Sequence, residues 1–410
     1  MTHHRESSFF PRWRSWIARA LLISLGVFLL PGCSLLPSFF KREAPRPGRT
    51  TLDSPLIVLP ARTLGNYLVV EAKWDRYGPY HFLVDTGSTV TLVTPELVKR
   101  YPGIAPLRPI PQVPVKSADG ATALLPPATL RRLELGDALF ENVPVLVYNC
   151  AALSAHLGVK IDGILGFPLF RETVLTLDYP RSRVLLTPTF NAPLQPGAAI
   201  PFNNANKKPL ISIRLGDTSL VALIDSGGDA ALRLNPVGLN PNFATPPRAG
   251  GLIATLTGDS EQQIGRLADT LTIGNYAIRK PLVEVTDELS AIGGGILQHF
   301  TVTFDQERSR VTFYREAPEP VTFGAVRSVG ISFNKTPAYW RVVGVVRNSP
   351  AEDVGVRTGD LVTRINGEPI AKWDFRRYEQ LVATADEITF SFLNGSRESE
   401  QRLKVFSLVP

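Results

Sequence analysis

Two aspartates in similar surroundings are the side chains of this sequence best placed for chemistry. Asp85 lies in the segment His81-Phe82-Leu83-Val84-Asp85-Thr86-Gly87-Ser88, and Asp225 lies in Val221-Ala222-Leu223-Ile224-Asp225-Ser226-Gly227-Gly228. Each carboxylate follows an apolar run typical of a buried strand, on a turn that a glycine keeps tight. Two carboxylates that meet cannot both ionise cheaply, so they share one proton, and one acts as a base while the other acts as an acid. We therefore expect acid–base chemistry if the two turns come together.

A second pair of matching segments lies downstream of the two aspartates. Ile164-Leu165-Gly166 and Ala291-Ile292-Gly293 are separated by the same interval as Asp178 and Asp305 in the segments that follow. The interval between Asp85 and Asp225 is slightly longer, so the two copies differ only by a short net length of loop. Several landmarks that recur in the same order indicate an internal duplication rather than turns that are alike by chance.

The repeated unit, apolar-apolar-Asp-Thr/Ser-Gly followed by apolar-apolar-Gly, resembles that of the pepsin and retropepsin superfamily of aspartic peptidases. This resemblance implies two β-rich lobes, which we take as residues 53–195 (lobe 1) and 196–318 (lobe 2). Each lobe would supply one catalytic aspartate, Asp85 or Asp225, for the hydrolysis of polypeptide substrates, with no metal and no cofactor. Because both lobes belong to one chain and imitate the dimer of retroviral peptidases, we expect a monomer.

The same resemblance assigns supporting roles around the two acids. Thr86 and Ser226 would hydrogen bond across the lobe interface and hold the carboxylates coplanar, and Ser88 would donate to the outer oxygen of Asp85. The residues expected to support the dyad are Thr86, Gly87, Ser88, Ser226 and Gly227.

The second copy departs from the first at one supporting position. It has Gly228 where the first copy has Ser88, so Asp225 lacks a hydroxyl donor. Loss of a donor to the charged form raises a pKa. We therefore expect Asp225 to be the protonated partner and Asp85 the ionised one. The same departure leaves open an inactive second lobe.

Flaps that close over the substrate are expected in both lobes, to exclude water. In lobe 1 the best candidate is the polar tip that contains Ser117, Asp119 and Gly120, and in lobe 2 it is the segment 255–260. Neither segment contains the tyrosine of pepsin flaps, which favours the retropepsin type. The alternative is that both are ordinary hairpins.

The last part of the chain, 319–410, forms a third unit with its own order of motifs. These are Val329-Gly330-Ile331-Ser332-Phe333, Ser349-Pro350-Ala351, Gly359-Asp360-Leu361-Val362 and Ile365-Asn366-Gly367. This order resembles a bacterial PDZ domain. The resemblance implies a carboxylate loop and edge strand built from Gly330, Ile331, Ser332 and Phe333, to which the C-terminal segment of a partner adds as an extra strand. The alternative is that the peptidase lobes cover this edge and that the domain acts as a brace.

The N-terminus has the pattern of an export signal. In residues 1–32, four arginines precede an apolar run that is short for a permanent membrane span. The sequence Leu30-Pro31-Gly32-Cys33 resembles a bacterial lipobox, which implies lipidation of Cys33, a tether over 33–52 and a place in the bacterial cell envelope. Ser34 lacks the acidic side chain that retains such proteins at the inner membrane, which favours the outer one. The alternative is a signal anchor with an incidental cysteine.

Composition bounds the remaining possibilities. A chain of 410 residues is too long for one core, and 32 glycines and 35 prolines between short Val, Leu, Ile and Thr runs predict β structure. The net charge of +7 falls to +4 without residues 1–32, and no aromatic–basic interleaving suggests a nucleic-acid partner. Cys150 has no disulfide partner once Cys33 is lipidated. No phosphate loop, serine nucleophile elbow or metal-ligand spacing occurs.

The predicted fold is mainly β, with two pseudo-symmetric retropepsin/pepsin-like β lobes followed by a small α+β PDZ domain. The predicted function is that of an aspartic endopeptidase. The rival from another class is a non-catalytic envelope scaffold with a peptidase-like cleft and a PDZ domain that binds C-termini.

Overall fold

The computed structural model describes residues 48–102, 110–191, 196–204, 207–255, 257–336, 338–394 and 397–410. The predicted signal segment 1–32 and the predicted lipidation site Cys33 lie outside these residues. Within them, no helix is both long and apolar enough to cross a membrane.

Within the described residues, lobe 1 and the segment just before it contain twelve strands and two short helices. The helices are α1 Pro95–Arg100 and α2 Ala151–Leu157, with 3-10 turns at Phe167–Phe170, Tyr179–Arg181 and Thr189–Asn191. The strands are β1 Arg49–Leu52, β2 Ile57–Leu64, β3 Tyr67–Trp74, β4 Tyr77–Asp85, β5 Thr91–Val93, β6 Val113–Lys116, β7 Thr122–Leu125, β8 Pro127–Leu135, β9 Ala138–Val147, β10 Gly163–Gly166, β11 Thr173–Asp178 and β12 Arg183–Pro188.

The described part of lobe 2 also contains twelve strands, with one helix, α3 Gly294–Leu297. The strands are β13 Ala198–Pro201, β14 Leu210–Leu215, β15 Thr218–Ile224, β16 Leu232–Leu234, β17 Phe243–Thr255, β18 Gly258–Leu267, β19 Thr270–Ile273, β20 Tyr276–Arg279, β21 Leu282–Val285, β22 Ala291–Ile292, β23 Thr301–Asp305 and β24 Arg310–Tyr314.

The two lobes share one strand arrangement around their aspartate turns. In lobe 1 the order is β9-β5-β10-β4-β3, and in lobe 2 it is β21-β16-β22-β15-β14. In both orders the first pair is parallel, the second antiparallel, the third parallel and the fourth antiparallel. The duplicated sequence landmarks therefore correspond to a duplicated sheet.

A shared sheet joins the lobes. Six neighbouring strands run in the order β2-β12-β11-β23-β24-β13, with strand β11 of lobe 1 next to its counterpart β23 from lobe 2. Thr176 lies directly opposite Thr303, and their hydroxyls are 2.9 Å apart. One buried core also runs through both lobes, where the ring of Phe167 packs edge-on against Phe304 at 5.4 Å. The two lobes therefore form one packed body rather than two separate domains.

The C-terminal unit has its own sheet and core. Its strands are β25 Val326–Ser328, β26 Ile331–Lys335, β27 Trp340–Val345, β28 Leu361–Ile365, β29 Glu368–Pro369, β30 Glu387–Asn394, β31 Arg397–Lys404 and β32 Phe406–Val409, and its helices are α4 Pro350–Asp353 and α5 Phe375–Thr384. Asp374 caps α5, because its side chain accepts a hydrogen bond from Arg377 N–H at 2.8 Å. A separate buried cluster around Trp340 and Phe390 stabilises the unit.

The prediction of a mainly β fold that ends in a small separate α+β unit is confirmed, and two boundaries differ from those expected. Residues 49–52, placed in the tether by sequence, form β1 and pair with β9. Val321, placed in the third unit, is buried in the core of the lobes and bridges to Ile278. Both short segments add apolar or backbone contacts to the edge of a lobe. No local sequence pattern predicts these contacts.

Candidate functional site

The two aspartate turns occupy equivalent positions at strand ends. Asp85 ends β4, and Asp225 follows the last residue of β15. Each turn is crossed closely by the glycine of the second motif, because a Cβ at Gly166 would collide with Val90 O and one at Gly293 with Ala230 O. A glycine inside a strand often marks such a close backbone approach. The apolar-apolar-Gly segment is therefore the parallel neighbour on which each turn rests.

Four hydrogen bonds cross the lobe interface beneath the carboxylates. The Thr86 hydroxyl donates to Ile224 O at 2.7 Å and accepts from Ser226 N–H at 3.0 Å. The Ser226 hydroxyl donates to Val84 O at 2.8 Å and accepts from Thr86 N–H at 3.0 Å. Both side chains are fully buried, so no water competes for these bonds. The reciprocal set fixes the two turns relative to each other.

This fixed arrangement brings the two carboxylates together. Gly87 N–H donates to Asp85 Oδ1 at 2.8 Å, and Gly227 N–H donates to Asp225 Oδ1 at 3.1 Å. A Cβ at Gly87 would collide with the Asp225 carboxylate, and one at Gly227 would collide with that of Asp85. Each acid therefore lies against the glycine of the opposite turn, and no larger residue fits there.

The pKa of Asp85 shifts in the direction opposite to the one expected. Burial and the nearby charge of Asp225 raise the pKa of Asp85 to about 7, against the opposing effect of N–H donors from Gly87 and Ser88. This shift favours the protonated form of Asp85, whereas the sequence predicted the ionised form there. The hydroxyl missing at Gly228 is visible in the sequence, whereas the burial of Asp85 depends on how the chain folds.

The role expected for the Ser88 hydroxyl is also wrong. It donates to Val90 O at 2.8 Å, so its single proton is not available to Asp85. The Ser88 backbone N–H donates to Asp85 Oδ1 instead, at 3.0 Å. The contact with the acid thus comes from the turn backbone, whereas in the second copy the Gly228 N–H donates to the backbone carbonyl of Asp225 at 3.3 Å.

Arg233 is the residue of the site that sequence reasoning missed. Its Nη2 lies 2.5 Å from Asp225 Oδ2, and its side chain is only 14% exposed. It stands in β16, between Leu232 and Leu234, which are both fully buried. The available signal was a charged residue in a short apolar strand directly after the second aspartate turn.

Hairpins lie where both flaps were expected, and their tips meet. Strands β6 and β7 form one hairpin, and the much longer β17 and β18 form the other. Asp119 at the first tip accepts hydrogen bonds from the hydroxyls of Thr255, at 2.9 Å, and Thr257 at the second tip. Although desolvation opposes them, these bonds lower the pKa of Asp119.

Two neighbours of Asp119 in the first tip complete this contact. Ser117 is buried at the base of the turn, and Gly120 adopts a positive φ of +84°. A Cβ at Gly120 would lie 2.6 Å from Glu288 Oε1, whose carboxylate forms an ion pair with Lys116 at 2.6 Å. The first tip is therefore attached to lobe 2 by polar contacts.

The expected peptide groove of the C-terminal unit is open at one end and covered at the other. A cavity of about 340 Å³ lies beside the start of β26, lined by residues that include Ser328, Ile331, Tyr378 and Val382. Gly330, with φ of +88°, forms the loop that enters the strand, and Phe333 points into the core. Gly330, Ile331 and Phe333 are among the positions that the sequence predicted for binding a terminal carboxylate and its side chain.

Lobe residues occupy the far end of this groove. A Cβ at Gly158, which ends α2, would lie 2.9 Å from the Lys335 side chain and 3.3 Å from that of Phe375. On the other side of β26, the Leu252 N–H in the long flap hairpin donates to Ser332 Oγ at 3.0 Å. The edge strand β26 is thus in contact with both lobes.

No group of three His, Cys, Asp or Glu side chains able to hold a metal ion occurs among the residues that the structure describes. Cys150 is buried in an apolar cluster, where desolvation raises the pKa of its thiol to about 12. Asp178 and Asp305 form ion pairs with arginines of the following turns, away from the dyad.

Comparison with known families agrees with this geometry. A family model described as aspartyl protease matches residues 70–169, and one described as PDZ domain matches residues 341–389. The first match contains Asp85 and the Ile164-Leu165-Gly166 segment, whereas Asp225 lies outside it. No curated protein gives a significant match.

Proposed function

We propose that this chain, an aspartyl protease-like region fused to a C-terminal PDZ domain, is an endopeptidase that hydrolyses peptide bonds with Asp85 and Asp225 as its dyad. The observation that carries the proposal is the reciprocal hydrogen bonding of Thr86 and Ser226 beneath the two acids. Such a buried network holds catalytic groups in a reactive geometry before substrate arrives.

The chemistry needs one protonated and one ionised carboxylate. The ionised acid takes a proton from a water molecule whose oxygen attacks the scissile carbonyl carbon, and the protonated acid donates its proton to the carbonyl oxygen. A raised pKa of about 7 at Asp85 supports a singly protonated dyad over the mildly acid range. The two hairpin tips would close the site over an extended substrate and exclude bulk water.

The decisive experiment is cleavage of an unfolded protein by the wild type, Asp85→Asn and Asp225→Asn. We expect each substitution to abolish cleavage, because the neutral amide can neither accept nor supply the proton. Asp217→Asn, an exposed aspartate in the turn before β15, is the matched control and should cleave like the wild type. A wild type that cleaves nothing from about pH 3 to 8, the range in which such dyads titrate, would favour the non-catalytic scaffold.

The C-terminal unit supports recruitment of substrate C-termini as part of the proposal. Its cavity lies where the carboxylate loop leads into β26, which suits one apolar side chain next to a free carboxylate.

The place of the enzyme is proposed from the sequence alone. A lipidated Cys33 would anchor it to a bacterial envelope membrane, with the outer membrane favoured by Ser34. We expect Cys33→Ser to move the protein from the membrane fraction of a lysate to the soluble fraction. Wild-type protein found in the soluble fraction would contradict the anchor.

A further inference from the structure

We infer that Arg233 is a positioning residue that keeps Asp225 ionised and so makes Asp85 the proton donor of the dyad. The inference rests on the proposed peptidase function and assigns a fixed direction to its proton transfers. Neither the paired sequence motifs nor the family match contains Arg233.

The contacts of the two acids differ in kind. Asp225 receives the guanidinium of Arg233 on Oδ2 and the Gly227 N–H on Oδ1, so both of its oxygens face donors. Asp85 receives two backbone N–H groups, both on Oδ1. In the described part of the chain, no Lys, Arg or His side chain forms an ion pair with Asp85. A cation in contact favours the charged form of one acid only.

This cation has no counterpart in lobe 1. Strand β5 pairs with β10 so that Leu92 faces Ile164, and β16 pairs with β22 so that Arg233 faces Ala291. Ile164 and Ala291 are equivalent residues of the duplicated motif, so Leu92 is the equivalent of Arg233. Leu92 is buried in an apolar cluster. One guanidinium in place of one leucine therefore breaks the symmetry of the dyad.

Other titratable groups lie near Arg233 and Asp225 but are not part of their ion pair. Glu284 on β21 lies beside Arg233 in register, and Asp229 follows the second aspartate turn. Desolvation raises the pKa of both carboxyls, against the effect of Arg233 on Glu284 and of His156 and Asn66 on Asp229. The groups that face the dyad and Arg233 are Asp229, Glu284, Tyr67, Tyr179, Lys208 and His156.

Among the acids that the structure describes here, Arg233 forms an ion pair with Asp225 alone. Desolvation also raises the pKa of the Tyr67 and Tyr179 phenols, so they stay neutral. The charge that Asp225 meets at contact distance is therefore that of Arg233.

The assignment gives a balanced sequence of steps. Water attacks the carbonyl carbon, its proton goes to Asp225, and the carbonyl oxygen takes the proton of Asp85. The C–N bond then breaks, the leaving nitrogen takes the proton from Asp225, and a hydroxyl of the intermediate returns a proton to Asp85. The dyad ends each cycle as it began.

The test is the pH dependence of kcat/KM for the wild type, Arg233→Gln, Arg233→Lys and Arg308→Leu. Removal of a cation next to a carboxylate raises its pKa by about 1–3 units, so the acid limb of Arg233→Gln should move up by that amount. Arg233→Lys keeps the charge and should recover part of the shift. Arg308→Leu breaks the ion pair with Asp305, distant from the dyad, and should leave the profile unchanged.

The outcomes separate this inference from the proposed function. If the wild type is active and Arg233→Gln has the same acid limb, the role of Arg233 is overturned and the proposed dyad stands. A wild type without cleavage overturns the function itself. If Arg233→Gln does not fold, carboxyl ¹³C shifts of the wild type decide, because we expect Asp85 to take up a proton at higher pH than Asp225. The opposite order overturns the inference.

Discussion

The Asp85 side chain illustrates how burial keeps an acid protonated at a cost to the stability of the fold. Burial and the charge of its neighbour outweigh two backbone hydrogen bonds and raise its pKa to about 7. An unfolded aspartate has a pKa of about 3.9, so the folded state binds more protons between these values. Its contribution to stability is complete below the unfolded pKa and is lost as the pH rises through the folded one.

Asp85→Asn should therefore stabilise the protein at neutral and higher pH, because the amide never ionises. Linkage over this interval amounts to a few kcal/mol, on the order of 1.4 kcal/mol per pKa unit. We expect thermal unfolding of Asp85→Asn and the wild type to coincide near pH 4 and to diverge with rising pH, with the variant the more stable. Asp217→Asn is the control. A difference that does not depend on pH would contradict the shifted pKa.

At this scale the sequence predicted the identities of residues better than their partners. The resemblance named Thr86 and Ser226 as a pair, and the structure gives them reciprocal hydrogen bonds. It assigned the Ser88 hydroxyl to the wrong acceptor, because a hydroxyl chooses among acceptors that only the folded turn presents. Arg233 escaped notice because its contact with Asp225 depends on how β16 lies beside the second turn.

The strands and hairpins were accessible to sequence reasoning, whereas their meeting points were not. Alternating apolar runs and glycine turns predict hairpins locally, and both flap segments do form hairpins. The contact of Asp119 with Thr255 and Thr257 joins residues of opposite lobes that are far apart in sequence. Such contacts depend on the placement of the lobes, which local patterns do not encode.

The edge strand β26 lies between the expected peptide groove and the hairpin of β17 and β18. An effect of peptide binding on that hairpin can therefore be measured. A peptide that adds along β26 from Ile331 to Lys335 needs the space beside Lys335 that Gly158 occupies. We expect a peptide with an apolar C-terminal residue to displace α2. Amide hydrogen exchange of the full chain should then rise in residues 151–158 and, through Ser332, in residues 243–255.

The same peptide with an amidated C-terminus is the control, because it lacks the carboxylate that the loop at Gly330 would bind. Exchange that changes only in residues 325–385 would show that peptide binding leaves the lobes undisturbed. In that case the cavity binds the peptide without any effect on the hairpin of β17 and β18.

The whole molecule follows the duplication that its sequence records. The copies of the apolar-apolar-Gly motif and of the aspartate turn predicted two lobes, and both sheets have the same strand order. What could not be predicted is that β11 and β23 pair in one sheet and that one core runs through both lobes. Burial across this interface joins segments far apart in sequence, so the local periodicity of apolar residues cannot predict it.

The Thr176–Thr303 hydrogen bond has a consequence for the ancestry of the chain. The separation of these two threonines along the chain equals that of Gly166 and Gly293 in the duplicated motif, so each threonine meets its own copy across the sheet. A residue that faces its copy lies on a twofold axis, and contacts of this kind are isologous. A single half-length polypeptide could have made this interface with a second copy of itself before the halves were fused, and only after fusion could one half acquire an arginine that the other lacks.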